Sequence, residues 1–454
     1  MALIASSLLQ RIQFALADIG NQRGAKAKGL MRVKEISVKK LFGVFDHSIP
    51  LNMEERITII HGPNGFGKTA LLRLIDGLFN LRYPQLLSVP FEEFQVDFED
   101  GAALQINQER LEKATQLTFK FLRPGAKTLS YSPRLETIYH TSWNLADISR
   151  VLLTFQKEWD KSDEDPSEPI IINPPYNISQ EPEWLEAIRD RIPVQFIQTQ
   201  RLFSSEKPGE TSDVVELVAN QPAVKKYAEE LAGSINAKLA ESAELSQSLD
   251  RSFPVRLVAE EVPAALSADE LRNRLSELEK MRERLTAVGL LDKDGDSAFQ
   301  IPAQIDETKR SVLSVYVNDV EQKLGIFDDM ADRIELFKNI INRRFLYKQM
   351  TVNRERGFIF TTPDDRPLPS SALSSGEQHE LVLLYELLFM VKPESLILID
   401  EPELSLHIAW QERFLKDLQE IIKLTPMDFL IATHSPDIIS ERWDLTVELK
   451  GPAQ

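Results

Sequence analysis

Apolar and polar residues alternate through "MRVKEISVKKLFGVFDHSIPL" (31–51), the two-residue period of strands with one buried face. "RITIIHG" (56–62) is a continuous β-branched run ending in a turn, which predicts a strand buried on both faces. The helical pattern "KTALLRLIDGLF" (68–79) follows. A strand-rich stretch comes next, including "FQVDFEDGAALQI" and "TQLTFKFLR", with "EDG" as a hairpin turn. "RIPVQFIQTQRLF" (191–203) is a further buried strand with a polar end. From about residue 350 strands and helices alternate again, in "RGFIFTT", "GEQHELVLLYELLFMV", "SLILIDE", "IAWQERFLKDLQEII", "DFLIATHS" and "LTVELK".

Between these blocks the period changes. Residues 213–346 look mainly helical. Leu271, Leu275, Leu278 and Leu285 keep near-heptad spacing, as do Val320, Leu324, Phe327, Met330, Ile334, Phe337 and Ile341, with the turn "LLDKDGDS" between the two sets. A short antiparallel arm of two helices accounts for this, and so does a small ordinary helical subdomain. The expected fold class is α/β, a head with a mixed sheet and a helix after the 61–69 loop, interrupted by a helical insertion. Its expected divisions are an N-terminal extension (1–30), an N-terminal lobe (31–212), the insertion (213–349) and a C-terminal lobe (350–454). In the extension, Leu8, Ile12, Ala15 and Ile19 share a helical face, and Gln10 with Arg11 breaks the apolar run, against a secretory leader. It reads as a docking helix outside the main fold, or as sequence upstream of a start at Met31.

Composition narrows the function classes. The chain has 454 residues, long enough for two or three cores, and no cysteine. Disulfides, thiolate zinc sites and cysteine nucleophiles are therefore excluded, and a reducing cytoplasm is the expected setting. The formal net charge of −17 opposes whole-surface attraction to nucleic acid or anionic lipid. The acidic loop "DKSDEDPSEPIIINPP" (160–175) fits a solvated segment. No apolar run reaches about 18 residues, so no membrane span is expected.

Four short segments carry chemistry. Gly62-Pro63-Asn64-Gly65-Phe66-Gly67-Lys68-Thr69 matches G-x-x-x-x-G-K-[ST] in full. Its glycines let backbone N–H groups turn toward phosphate, Lys68 adds a cation for the β and γ phosphates, and the Thr69 hydroxyl suits Mg²⁺. ATP and Mg²⁺ are the expected cofactors. In "LIDEPELSLH", Asp400 would join the Mg²⁺ shell and Glu401 would polarise the attacking water. His434, in "LIATHSP", ends the next predicted strand, at the sheet edge where α/β proteins bind ligands, and would contact the γ-phosphate. Ser374, Ser375, Gly376 and Glu377, in "ALSSGEQHELVLL", open a helix and make a second anion site or a plain N-cap.

In this order and spacing the segments resemble the ABC-type ATPase heads of the SMC and RecF group. "LSSGE" looks like the signature motif, "DEPELSLH" like Walker B with its D-loop, and "THSP" like the switch histidine. The compact ATPases of the overcoming-lysogenization-defect type are more similar still, above all the stand-alone subunits of anti-phage systems of the Septu and PARIS type. The resemblance implies an ATP-sandwiched homodimer or higher homo-oligomer. Gly62, Asn64, Gly65, Gly67, Lys68 and Thr69 of one subunit would hold ATP, and Ser374 to Glu377 of another would close it. Glu403 to His407 would cross the interface as the D-loop. Gln200 is the candidate Q-loop residue, with Gln198 behind it. Ser375 stands where the transporter form has glycine. The chain runs only about 20 residues past His434, leaving no room for the Toprim nuclease of the lysogenization-defect family.

Two functions follow from the resemblance. One is a defence ATPase that senses infection and controls a separate effector, a nuclease. The other is a RecF-like repair or loading ATPase that binds DNA along "INRRFLYK" (341–348) and "RNRLSELEKMRERL" (272–285). A transporter subunit fits less well, because such subunits keep the signature much closer to the phosphate loop.

Overall fold

The computed structural model describes residues 31–110, 115–133, 135–136, 177–178, 181–198, 223–259, 266–292, 307–369, 372–404 and 406–451. The extension 1–30, the loop 160–175 and Gln200 lie outside the described residues. The chain divides into two compact units, Met1–Phe196 with Val447–Gln454, and Ile197–Thr446.

The first unit is built on alternation. Strands β1 (Val33–Leu41) and β2 (Phe45–Pro50) pair antiparallel, with Ile36 opposite Ile49 and Val38 opposite His47. β3 (Ile57–His61) is buried over its first four residues and leads through the 62–67 loop into α1 (Lys68–Phe79), which is followed by α2 (Tyr83–Ser88). Strands β4 (Glu93–Phe98), β5 (Ala103–Arg110), β6 (Thr115–Leu122) and β7 (Leu129–Tyr131) complete a six-stranded sheet in the order β2-β1-β4-β5-β6-β7. The "EDG" turn joins β4 to β5, where the Phe98 N–H donates to the Ala102 carbonyl at 2.9 Å. The short pair β8 (Leu135–Glu136) and β9 (Asn177–Ile178), then α3 (Glu183–Arg189) and β10 (Val194–Gln198), follow.

A buried network fixes the far end of α1. The fully buried Asp76 carboxylate accepts from Asn80 at 2.8 Å and from Arg82 at 2.7 Å. Arg189 Nε donates to the Leu78 carbonyl at 2.8 Å, and its guanidinium also meets Glu181 and the Tyr83 hydroxyl. Burial pushes the Tyr83 phenol well above its ordinary value, so it stays a neutral member of the network.

The second unit opens with helices α4 (Ala223–Ala259), α5 (Ala268–Ala287), α6 (Glu307–Gly325) and α7 (Asp328–Arg344). Leu271, Leu275, Leu278 and Leu285 are buried, as their spacing predicts. The second heptad run is split in two by a turn at Gly325–Phe327, where the Phe327 N–H donates to the Leu324 carbonyl at 2.9 Å. The two-helix arm is thus too simple. α4, 37 residues long, packs beside α6 through Arg256–Asp319 and Lys323–Asp250. It carries no heptad run because its buried positions, Ala223 to Ile235, occupy only its first turns. At Gly289, just past α5, φ is +82° and any Cβ would collide with the Val352 carbonyl, so only glycine closes this turn.

Strands β11 (Gln349–Asn353), β12 (Gly357–Thr361) and β13 (Pro367–Leu368) form a small antiparallel sheet. α8 (Ser375–Tyr385) precedes β14 (Leu396–Asp400). Two helices, α9 (Ile408–Gln411) and α10 (Phe414–Leu424), connect β14 to the parallel β15 (Asp428–Ala432), and α11 (Pro436–Ile439) and β16 (Thr446–Glu448) end the described chain. β14 and β15 are apolar and buried almost throughout, the signature of strands covered on both faces. The fold is mixed α/β with a helical insertion, as expected.

One ionic cluster joins three helices of this unit. Arg344, at the end of α7, is buried and contacts Glu380 of α8 and Asp417 of α10, both also buried. Arg343 reaches Asp417 at 3.4 Å and Glu420 at 3.1 Å. Replacing Arg344 with Leu would leave Glu380 buried without its cation and Asp417 with Arg343 alone, at 3.4 Å. The expected loss is ~3–5 kcal/mol of unfolding free energy, measured by urea denaturation; a loss below about 1 kcal/mol would show that the cluster is not structural.

Candidate phosphate loop and catalytic strand edge

The first unit supplies the phosphate loop. At Gly67, φ is +91° and a Cβ would run into the Leu41 side chain, so the loop turns into α1 only with glycine there. Gly67 caps α1 without a side-chain hydrogen bond, and the first turn carries no acid. The helix therefore presents its positive end with no acidic side chain in its first turn, the arrangement that favours an anion. Lys68 is buried, with Nζ donating to the Gly62 carbonyl at 2.9 Å and the Pro63 carbonyl at 3.4 Å. Thr69 follows on the first turn, and Asn64 and Gly65 lie at the loop's tip.

Three neighbours of this loop carry no sequence motif. His47 is buried, and its Nε2 lies 2.9 Å from the Phe66 carbonyl oxygen. Phe45 packs against the Phe66 ring at 5.3 Å. Phe42, 44% exposed, lies beside Gly67 and offers a ring face next to the loop. Only the pairing of β1 with β2 and the turn between them bring these three to the loop.

The second unit supplies the acids. β14 and β15 pair in parallel from Leu396↔Asp428 to Asp400↔Ala432. The Glu401 N–H donates to the Ala432 carbonyl at 2.8 Å, so the two strand ends leave the sheet together. Glu401 has φ +46°, a left-handed conformation unusual for a side-chain-bearing residue. Its Oε1 lies 3.7 Å from His434 Nε2, and each side chain is about one third exposed. Asp400 stands at the last position of β14.

Glu403 grips the segment after β15. Its Oε1 accepts the His434 N–H at 2.8 Å and the Ser435 N–H at 3.2 Å, and its Oε2 accepts the Thr433 hydroxyl at 2.8 Å. Buried Gln411 accepts the Ser435 hydroxyl at 2.9 Å and donates to the Leu406 carbonyl at 3.1 Å. The sequence reading placed Glu403 only in an intersubunit loop. The structure gives it contacts within its own subunit that hold His434. Leu404 and Ile408 beside it are 69% and 67% exposed.

Ser374 caps α8 through a reciprocal box with Glu377. Ser375 and Gly376 form the first turn. Burial alone would raise the Glu377 carboxyl, but hydrogen bonds from Lys348 and Ser374 outweigh it and hold the group below its ordinary value. Gln200 lies outside the described residues, and Gln198 is the last residue of β10. No cluster of three or more metal-ligating side chains occurs among the described residues. No helix among them is long and apolar enough to cross a membrane.

Residues 31–439 match AAA_15, the AAA ATPase domain family. No curated protein matches the chain. Among solved structures, the SMC head domain with an extended coiled coil from Pyrococcus furiosus, bound to the C-terminal domain of ScpA, is 14% identical. That similarity covers 93% of this chain and 94% of that one at a TM-score of 0.36. The SMC head domain from Thermotoga maritima is 13% identical, covering 93% of this chain and 100% of that one at a TM-score of 0.33.

If Glu403 holds the 433–435 segment, Glu403→Ala removes the acceptor of two amides. Hydrogen exchange at His434 and Ser435 is then expected to rise by about tenfold to a hundredfold, the equivalent of a lost charged hydrogen bond. Exchange mass spectrometry reads this directly, and unchanged protection would remove Glu403 from that role.

Proposed function

The chain belongs to the AAA_15 family of AAA ATPase domains and is a P-loop ATPase, and on that premise we propose that ATP makes it a self-associating switch controlling a separate effector protein. The observation that carries this reading is Glu401 beside His434 at the carboxyl edge of two parallel strands. A carboxylate held there can accept a proton from water as its oxygen attacks the γ-phosphorus and the bond to the bridging oxygen of ADP breaks. The imidazole can donate a hydrogen bond to a γ-phosphate oxygen. Lys68 and the uncapped start of α1 would hold the β and γ phosphates, and the Phe42 ring offers a stacking face for the base.

By the motif resemblance Thr69 and Asp400 would be the Mg²⁺ donors, and both are hard oxygens of the kind that ion prefers. Bound there, the ion would neutralise charge on the phosphate oxygens. In the switch, Ser374 to Glu377 of a second copy would close over ATP, and hydrolysis would release it. The motif resemblance to anti-phage ATPases supports infection sensing as the input and a nuclease as the output.

The DNA-binding alternative loses support at both basic segments. Arg343, Arg344 and Lys348 each face carboxylates. Arg272, Arg274, Arg282 and Arg284 do the same. Cations already paired with acids release few counterions on meeting phosphate.

Two substitutions test the switch. Lys68→Ala is expected to lose ATP binding. Glu401→Gln is expected to bind ATP but hydrolyse it at least about a hundredfold more slowly, accumulating as a nucleotide-bound dimer in native mass spectrometry. Hydrolysis by Glu401→Gln at the wild-type rate would overturn the assignment of the base. Purified with its neighbouring gene products, the trapped form should carry a stoichiometric second protein; a dimer carrying nucleic acid instead would favour the DNA-binding reading.

A further inference from the structure

The start of α8 holds an electrostatic contradiction that one lysine removes. The Ser374 main-chain N–H and hydroxyl both donate to Glu377 Oε2, at 2.7 and 2.9 Å, and the Glu377 N–H donates back to the hydroxyl at 3.3 Å. This box stabilises the helix. It also places a full negative charge where a helix start carries only about half a positive one. Left alone, the helix end would repel a phosphate.

Lys348, the residue before β11, reaches both Glu377 oxygens, at 2.7 and 2.5 Å. The two side chains are 21% and 12% exposed, so water screens the pair only partly. A cation at a helix start opposes the helix dipole. Lys348 serves the helix only by keeping the partly buried Glu377 ionised in its cap, and that same neutralisation changes what the helix start can accept.

We propose that Lys348 is a positioning residue of the Ser374–Glu377 segment, which neutralises Glu377 so that the start of α8 accepts the terminal phosphate of ATP bound to a second copy of the chain. This rests on the switch reading above. The pair also lets the Ser374 hydroxyl turn from Glu377 to a phosphate oxygen without leaving that carboxylate unpartnered, because Lys348 still holds both of its oxygens. Lys348 belongs to a basic stretch that the DNA-binding alternative would use and that otherwise reads as a solvated face; its partner is an acid of the same subunit.

The test is a rescue, which a purely structural contact would not show. ATP-dependent self-association is followed by mass photometry across an ATP titration for wild type, Lys348→Met, Lys348→Arg, Glu377→Gln and Lys348→Met/Glu377→Gln. Lys348→Met is expected to raise the ATP concentration for half-maximal association by about tenfold. Removing the now unpaired charge with Glu377→Gln should bring it back to within about threefold of wild type, a gain that the same substitution does not give when Lys348 is present. Lys348→Arg should retain most of the response. If Lys348→Met does not fold, Lys348→Gln, which keeps a donor and loses the charge, takes its place in the same comparison. An unimpaired Lys348→Met, or a double variant as weak as the single one, overturns the inference. Wild-type protein that does not associate with ATP overturns the switch reading and this inference with it; wild-type association without rescue overturns this inference alone.

Discussion

The register of β14 against β15 is the constraint on which the chemistry of the second unit depends. Asp400 pairs with Ala432, so the chain leaves both strands at the same level, and Glu401 and His434 emerge side by side. In a sheet a slip of one residue exchanges the faces of every side chain. Both faces of Leu396 to Ile399 and Phe429 to Ala432 are buried, so it is the fit of these side chains against their neighbours, rather than a polar face, that opposes the slip. Packing thus sets the separation of Glu401 and His434, and the polar residues at the edge need only refine it, as Glu403 and Gln411 do.

Three glutamates near this chemistry differ by surroundings rather than by type. Glu401 remains partly exposed beside an imidazole. Glu403 accepts from two amides and a hydroxyl and acts as a fixed bracket. Glu377 is half cap, half ion-pair partner. In a chain with 70 acids against 53 lysines and arginines, these arginines are matched to acids: Arg344 is buried between α8 and α10, and Arg256, Arg274 and Arg284 pair part-exposed along the insertion.

The sequence was most legible where spacing alone dictates structure. The β-branched run before Gly62 and the apolar run before Asp400 announce buried strands, and the leucines of α5 announce a buried stripe. Contacts between residues far apart were not legible. His47 reaches Phe66 only because β1 and β2 pair, and Lys348 reaches Glu377 across 29 positions of chain. α4 was hidden for another reason: a long helix that buries only its first turns leaves no repeating pattern to read. Glu403 was visible as a letter in a motif, yet its grip on the residues around His434 depends on the strand register.

The backbone at Glu401 has a consequence for how such a chain can change. A left-handed φ on a glutamate stores strain of order 1–3 kcal/mol that a glycine there would relieve. Selection for stability alone would therefore drift toward glycine at 401 and discard the carboxylate. A glutamate persists at such a position only while something rewards its presence, and thermostabilising this chain by consensus or by design should begin by holding residue 401 fixed.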